Sequence, residues 1–198
     1  MNPLPSLILA STSRYRRELL ERLRLPFEVV SPGVDETARP GETPATLALR
    51  LARAKADAVA EQYPAAVVIG SDQVADLDGQ AIGKPLSHER AQQQLRLMSG
   101  RTVTFQTAVA VVRRDLGYAQ AQLAPVRVRF RDLDERQIEN YLRAEQPYDC
   151  AGSARSEALG IALLSSIESD DPTALVGLPL IRTCTLLREA GLDPLAAR

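Results

Sequence analysis

The chain has 198 residues, 45% of them hydrophobic, which is enough to bury a core, and we expect one domain over 1–198. Its 24 Lys and Arg nearly balance its 25 Asp and Glu, which argues against an extended nucleic-acid surface or anionic-membrane surface but allows a local basic pocket. Two cysteines far apart in the sequence argue against a disulfide framework and against a zinc motif. The sequence also shows no signal-peptide or membrane-spanning pattern. We therefore expect a cytoplasmic protein with no membrane partner.

The first predicted strand covers 7–10 and runs through three hydroxyl residues into a helix predicted over 14–23, with Ser13 as its N-cap. The first turn of this helix carries Tyr15 among arginines that include Arg16. Exposed N–H groups and the helix dipole attract anions at such a terminus. A guanidinium group can also form a bidentate pair of hydrogen bonds to phosphate oxygens. This junction therefore predicts a polyphosphate site that lacks the glycines and lysine of a P-loop.

Two adjacent carboxylates, Asp35 and Glu36, follow a short strand predicted over 26–31. Mg²⁺ takes one or two carboxylates plus substrate phosphates, although such a pair seen alone is more often a solvated acidic loop. A long helix then begins at Pro44 and runs to about residue 62. Lys55 lies on its inward stripe, where a lysine usually snorkels; the alternative is an ammonium that reaches a phosphate in a pocket.

The next predicted strand, over 65–70, ends at Ser71-Asp72-Gln73. Because α/β proteins bind ligands at the carboxyl ends of strands, Asp72 is the sharpest single candidate. A carboxylate there holds a metal or accepts a proton from water, or is simply a turn residue or helix cap. A hairpin turn at Asp78-Gly79 precedes Lys84, whose Gly-Lys-Pro context is a weak phosphate-binding signal.

The second half of the chain alternates helices and strands, which together with the first half predicts an α/β fold with a mixed sheet. The predicted elements are a helix over 87–98 with Gly100 after it, strands over 102–112 and 126–130, a helix to 142 after a capping box at Asp132 and Glu135, a strand over 160–164, and a last helix from Pro179 to about Gly191. The only histidine, His88, is expected to be exposed, so the chemistry falls to carboxylates and a metal.

Six short motifs occur in a specific order along nearly the whole chain. They are Ala10-Ser11-Thr12-Ser13 with Arg16-Arg17, Val34-Asp35-Glu36, Ala54-Lys55-Ala56, Ile69-Gly70-Ser71-Asp72-Gln73, Gly83-Lys84-Pro85 and Ser99-Gly100-Arg101. No single motif is decisive, but the ordered set resembles the Maf family of nucleoside triphosphate pyrophosphatases. The resemblance implies a mixed twisted sheet flanked by helices, a cleft between two lobes, a nucleoside triphosphate substrate and a homodimer.

The resemblance also implies a role for each matching residue. Asp72 would be the proton acceptor that activates water, and Glu36, with Asp72, would hold Mg²⁺ or Mn²⁺. Lys55 and Lys84 would balance the charge that develops during transfer. The substrate phosphates would be bound by Ser11, Ser13 and Arg16.

Three positions, Tyr15, Gln73 and Glu157, resemble the branch of the family that hydrolyses 7-methyl-GTP. Methylation at N7 makes guanine cationic, which suits an aromatic face and a carboxylate. Two residues depart from the family pattern, since Arg14 stands where proline is common and Tyr15 where the branch often has tryptophan. The alternatives are another noncanonical purine or a pyrimidine triphosphate as substrate, or a non-catalytic nucleotide-binding regulator of cell division.

Overall fold

The computed structural model describes residues 5–196, in which seven strands form one mixed sheet with helices on both faces. The helices and strands are β1 (Leu7–Leu9), α1 (Arg14–Glu21), β2 (Glu28–Val29), α2 (Pro44–Ala60), β3 (Val67–Leu77), β4 (Gln80–Ile82), α3 (His88–Met98), β5 (Thr102–Arg113), β6 (Tyr118–Phe130), α4 (Glu135–Glu145), β7 (Leu164–Glu168) and α5 (Leu180–Glu189). The predicted α/β fold with a mixed sheet is confirmed. Residues 1–4, on which the expectation of no signal peptide rests, lie outside the described residues.

The strand order is β2-β1-β3-β5-β6-β7, and β4 pairs with β3 outside this series. β1 runs parallel to β2 and to β3, whereas β3, β5, β6 and β7 are antiparallel to their neighbours. β5 occupies one edge of β3 from Val68 to Asp76. The other edge is shared, because β1 pairs with residues 67–69 and β4 with residues 75–77. Residues 70–74 of β3 therefore face a gap between β1 and β4 on that edge.

Helices cover the two faces of the sheet unequally. On one face, α2 packs against alternate residues of β3 and β5 such as Val68 and Ala110. On the opposite face, α1 and α5 pack near β1, while α3 and α4 pack around Phe105 and Phe130 at the other end of the sheet. The sheet thus carries two separate groups of helices on that face, and the gap in its edge lies between β1 and β4.

Local capping signals in the sequence are mostly correct. The Ser13 hydroxyl accepts from the backbone N–H of Arg16 at 3.4 Å, and the Thr43 hydroxyl caps α2, whose first residue is Pro44. The capping box before α4 was predicted from Asp132 and Glu135 and is wrong by two residues, because Asp134 and Gln137 form it. Both pairs share the same spacing, so the sequence alone does not separate them.

Two strand predictions are also wrong. The strand expected over 160–164 is a 3₁₀ helix at Leu159–Leu163, and β7 follows it, since a short apolar run does not distinguish the two conformations. The strand expected to end at Gly70 continues to Leu77. Asp72 therefore lies in the middle of β3 and not beyond its carboxyl end, because pairing with β5 extends the strand through polar residues.

Within residues 5–196, no helix combines the length and the apolar character that crossing a bilayer requires.

Gly70 allows α2 to lie directly on β3. A Cβ atom at this position would collide with the Ala52 carbonyl oxygen and lie 2.6 Å from the Ala56 backbone nitrogen. We expect Gly70→Ala to lower the free energy of unfolding by about 1–3 kcal/mol, since the helix must shift to make room. Urea denaturation measures this change, with Gly83→Ala as the control because nothing lies within 4 Å of a Cβ there. Equal stabilities of the two variants would contradict the expectation.

Candidate active site

A cavity of about 890 Å³ opens at the gap in the sheet. Its walls come from the loops after β1, β2 and β4, from α2, from the centre of β3 and from the segments 149–157 and 175–177. All ten residues predicted for the site line it: Ser11, Ser13, Tyr15, Arg16, Glu36, Lys55, Asp72, Gln73, Lys84 and Glu157. The structure therefore brings the predicted residues together in one cleft, while their individual roles stay predictions.

The backbone of β3 also contributes polar groups to the gap. Val67 donates its N–H to the Ser6 carbonyl and the Ile69 carbonyl accepts from the Ala10 N–H, so both residues direct their backbone groups towards β1. Backbone groups alternate along a strand, and those of Ser71 and Gln73 consequently point to the same edge. There β1 has already ended and β4 has not begun. Gln73 lines the cleft at this point, whereas Ser71 is fully buried.

The Lys55 ammonium lies between two carboxylates. Its Nζ is 2.7 Å from Asp72 Oδ1 and 2.6 Å from Glu36 Oε1. Lys55 is only 4% exposed and Asp72 only 7% exposed, so the interpretation that Lys55 snorkels to the solvent is wrong. A buried lysine needs such partners, because an unpaired charge in the interior is strongly unfavourable. α2 thus delivers a cation to the centre of β3.

Burial raises the pKa of the Glu36 carboxyl, but the hydrogen bond from Lys55 and the positive charges of Lys55, Lys84 and Arg16 outweigh it. The net result is a pKa below the ordinary value of 4.5. Glu36 therefore stays ionised to a lower pH than an ordinary glutamate and is available as an anionic ligand at neutral pH.

Arg16 is fixed at the start of α1. Its Nε donates to the Gly177 carbonyl at 2.9 Å and its Nη1 donates to Ser11 Oγ at 3.4 Å. Burial lowers the pKa of Arg16, and the charges of Asp72 and Glu36 act against this shift. A guanidinium held this way has a defined direction, which suits the binding of a phosphate group.

The two serines of the predicted phosphate site differ in their surroundings. Ser11 is 5% exposed, and its Oγ accepts from the Ser13 backbone N–H at 3.2 Å. Ser13 uses its own oxygen as the cap of α1. Each hydroxyl hydrogen is left to donate, since both oxygens act as acceptors in these contacts. Two hydroxyl groups and one guanidinium therefore meet at the end of β1.

Gln73 points to the opposite face of β3 from Asp72 and is tightly held. Its amide nitrogen donates to Thr107 Oγ1 at 2.9 Å and to the carbonyls of Ala174 and Leu175 at 3.0 and 2.9 Å. The Thr107 hydroxyl donates to the Ala174 carbonyl, so towards Gln73 it acts as the acceptor. These contacts fix the orientation of the amide and leave its carbonyl oxygen to accept a hydrogen bond from a ligand.

The ring of Tyr15 is flanked by two guanidinium groups. The Arg14 guanidinium carbon lies 4.7 Å from the ring centroid and that of Arg155 lies 5.6 Å from it. Arg14 also donates to the Tyr15 hydroxyl at 2.7 Å. In this structure a cation of the chain itself already makes the cation–π contact that was predicted for a methylated base.

Sequence reasoning missed the residues that position the loop of Glu157. Glu145, at the end of α4, accepts from the Leu159 backbone N–H at 3.1 Å and from Arg155 Nη1 at 3.3 Å. The Tyr141 hydroxyl accepts from the Arg155 backbone N–H at 3.0 Å. The Glu157 side chain itself is exposed. The loop is therefore anchored to α4, while the exposed Glu157 carboxylate accepts from the neighbouring Ser156 hydroxyl at 3.5 Å. The anchoring residues Tyr141 and Glu145 lie on another element and belong to none of the motifs found in the sequence.

His88 lies outside the cavity lining and is half-buried, so the expectation that it is exposed is wrong. Its ring nitrogens lie 2.9 Å from the Tyr148 hydroxyl and 2.9 Å from Glu139 Oε2, across the contact between α3 and α4. Among residues 5–196, no group of three or more His, Cys, Asp or Glu side chains could hold a metal ion by itself. A metal in this cleft would need ligands from the substrate besides Glu36 and Asp72.

Comparison with known proteins identifies the family of this chain. The profile of a family described as "Maf-like protein" matches residues 6–190. This chain belongs to the Maf family. Two curated Maf relatives, each named "7-methyl-GTP pyrophosphatase", come from Polaromonas sp. strain JS666 and from Bordetella pertussis. The first is 69% identical over 97% of this chain and 88% of its own length, and the second is 60% identical over 96% and 95%.

A solved structure titled "The structure of the Staphylococcus aureus Ham1 protein" is similar with a TM-score of 0.47 and 17% identity, over 64% of this chain and 72% of that one.

The lowered pKa of Glu36 has a measurable consequence for stability in this Maf protein. A carboxyl whose pKa is lowered on folding stabilises the fold above its ordinary pKa of 4.5, and this stabilisation is lost as the pH falls through the lowered value. We expect the difference in unfolding free energy between wild type and Glu36→Gln to be fully present at neutral pH and to shrink as the pH falls below the ordinary pKa of 4.5. Since 58% of the side chain is exposed, we expect about 1 kcal/mol or less.

Urea denaturation between about pH 3 and pH 7 measures this difference. Glu28→Gln is the matched control, because Glu28 is an exposed glutamate without an ion-pair partner among residues 5–196. A difference that stays constant across this pH range for Glu36→Gln would show that Lys55 does not interact with the charged form of Glu36.

Proposed function

We propose that this chain hydrolyses 7-methyl-GTP to 7-methyl-GMP and pyrophosphate and so removes a modified nucleotide before it enters nucleic acid. The relatives named above support the choice of reaction and substrate. The observation that carries the proposal is the buried Asp72 carboxylate, held by Lys55 at the gap in the sheet beside Ser11 and Arg16. The residue proposed as proton acceptor and the cations proposed to bind phosphate thus line one cleft.

At the phosphate end, each residue has a separate task in the proposed reaction. Asp72 accepts the proton of a water molecule as the water oxygen bonds to phosphorus. The anhydride bond between the α- and β-phosphates breaks, and its electron pair leaves with the bridging oxygen. Arg16, Lys55 and Lys84 balance the negative charge on the phosphate oxygens, and Ser11 donates a hydrogen bond to them.

Glu36 and Asp72 would hold a Mg²⁺ or Mn²⁺ ion together with phosphate oxygens. Their side chains fit this task, because one oxygen of each contacts the same atom, Lys55 Nζ, at 2.6 and 2.7 Å. Two carboxylates and a polyphosphate are the hard oxygen donors that these ions prefer. The ion would supply further neutralisation of phosphate charge.

At the base end, recognition would rest on Gln73 and Glu157. The fixed carbonyl oxygen of Gln73 and the exposed carboxylate of Glu157 can accept hydrogen bonds from the N–H groups of guanine. The negative charge of Glu157 also favours the cationic, methylated base over guanine itself. A base that stacks on the face of Tyr15 covered by Arg14 must first displace that guanidinium. We assign the preference for a cationic base mainly to Glu157 for this reason.

Two further expectations stay predictions. The cytoplasmic location rests on the composition and cysteine content of the chain, and the homodimer is implied by the family resemblance. Sedimentation of the purified chain tests the second of them directly.

A panel of triphosphates tests the substrate. We expect pyrophosphate release to be at least tenfold more efficient, in kcat/KM, with 7-methyl-GTP than with GTP, UTP or dTTP, because only the first presents a cationic base to Glu157. The assay measures pyrophosphate with Mg²⁺ and with Mn²⁺, and a chelator should abolish it. Equal rates on UTP would instead support a pyrimidine triphosphate as substrate, and tight nucleotide binding without pyrophosphate release would support a regulator.

The variant Asp72→Asn tests the mechanism. We expect kcat to fall by a factor of about 10²–10⁴, since the amide cannot accept the proton of water. Asp76→Asn is the matched control, because Asp76 is a second aspartate of β3 and does not line the cavity. Circular dichroism and thermal melting verify that both variants fold. A rate near that of wild type in Asp72→Asn would exclude Asp72 as the proton acceptor.

A further inference from the structure

Leu86 has an unusual conformation for its residue type. Its φ angle is 61°, in the left-handed region that glycine and asparagine favour, and 72% of the residue is exposed. Exposure of a large apolar side chain and a left-handed backbone are both unfavourable, and neither is offset by packing of this side chain in the core. Strain of this kind tends to occur at ligand-binding positions.

The backbone of Leu86 is held from both sides. Pro85, which precedes it, is buried, and Ser87, which follows it, is the N-cap of α3. The Leu86 N–H donates to the Tyr148 carbonyl at 3.1 Å. These contacts explain the left-handed conformation but not the leucine, because glycine or asparagine would adopt it at lower cost.

The position of Leu86 along the cleft indicates what its side chain meets. Leu86 lines the cavity two residues after Lys84, whose charge acts on Glu36 at the phosphate end. Its backbone bond ties it to the segment that contains Cys150, whose Sγ lies 4.0 Å from the Tyr15 hydroxyl at the base end. Leu86 therefore lies between the residues proposed for the phosphates and those proposed for the base.

We propose that Leu86 is a substrate-contacting residue that packs against the sugar and base of the bound nucleotide and shields them from water. This inference rests on the proposed function, because it assumes that a nucleoside triphosphate occupies the cleft. Covering the exposed leucine removes apolar surface from water, and this gain is available only in the complex. The contact would strengthen binding of the nucleoside part and leave the phosphate contacts unchanged.

The variant Leu86→Gly tests the proposal, because glycine accepts the φ angle and removes only the side chain. Calorimetry compares two ligands, an α,β-methylene analogue of 7-methyl-GTP, which resists hydrolysis, and inorganic tripolyphosphate, which has no sugar or base. We expect Kd for the nucleotide analogue to rise roughly tenfold and Kd for tripolyphosphate to stay the same. Thermal stability should be unchanged or higher, since the backbone strain is relieved.

Two further variants separate the side chain from the backbone. Leu86→Met keeps a large apolar group and should bind the analogue nearly as well as wild type. Arg24→Gly is the control for relief of strain, because Arg24 also has a left-handed φ, of 54°, and does not line the cavity. It should change neither Kd.

Unchanged affinity of Leu86→Gly for the analogue would overturn the inference, as would an equal loss of affinity for both ligands. These binding results do not depend on turnover. If wild type binds the analogue and releases no pyrophosphate from any triphosphate, the proposed function fails, and a selective loss in Leu86→Gly still supports the contact. If wild type is active and the variant binds the analogue normally, only the inference about Leu86 fails.

Discussion

The buried ammonium of Lys55 links helix α2, which carries the lysine, to strand β3, on which α2 packs. A lysine that is 4% exposed requires negative partners, and the two it has come from different segments of the chain, Asp72 in β3 and Glu36 in a loop. The ammonium reaches Asp72 because α2 lies directly on β3, which the missing side chain of Gly70 permits. One close backbone approach and one pair of charges therefore fix the position of the proposed proton acceptor.

The gap in the sheet explains why this acceptor is accessible at all. A residue in the middle of a strand is normally enclosed by neighbouring strands, but β1 and β4 share one edge of β3 and leave residues 70–74 between them. Asp72 thus combines the rigidity of a paired strand with access to a ligand. Loops after the carboxyl ends of strands give access more commonly and with less precise positioning. Gln73, the next residue of β3, also lines the cleft, so the strand offers a second polar residue beside the carboxylate.

The sequence predicted which residues line the cleft better than it predicted their geometry, and the reason is the range of the interactions involved. Caps such as Ser13 and Thr43 depend on neighbours three residues away, and the sequence contains them. The length of β3 depends on pairing with β5, whose residues lie 28 to 44 positions later in the chain, and the sequence pattern alone therefore predicts a strand end at Ser71. The burial of Lys55 could not be predicted from the sequence either, because its two partners lie on other segments of the chain. Motif order identified the residues that meet, and only the fold showed how they meet.

The two ends of the cleft differ in how firmly their residues are held, and this difference bears on specificity. Gln73 has its amide hydrogens engaged by three acceptors and cannot rotate without losing them, so it imposes one fixed acceptor on any base. Glu157 is exposed on a loop anchored only through its neighbours, and Arg14 is an exposed side chain on the ring of Tyr15. A rigid acceptor distinguishes bases by their hydrogen-bond pattern, whereas exposed charges distinguish them by net charge. Recognition of a methylated guanine needs both, since methylation at N7 leaves the N–H edge of the base in place and changes its charge. The fixed amide would therefore select guanine, and the balance between the carboxylate of Glu157 and the guanidinium of Arg14 would set how strongly the methylated form is preferred.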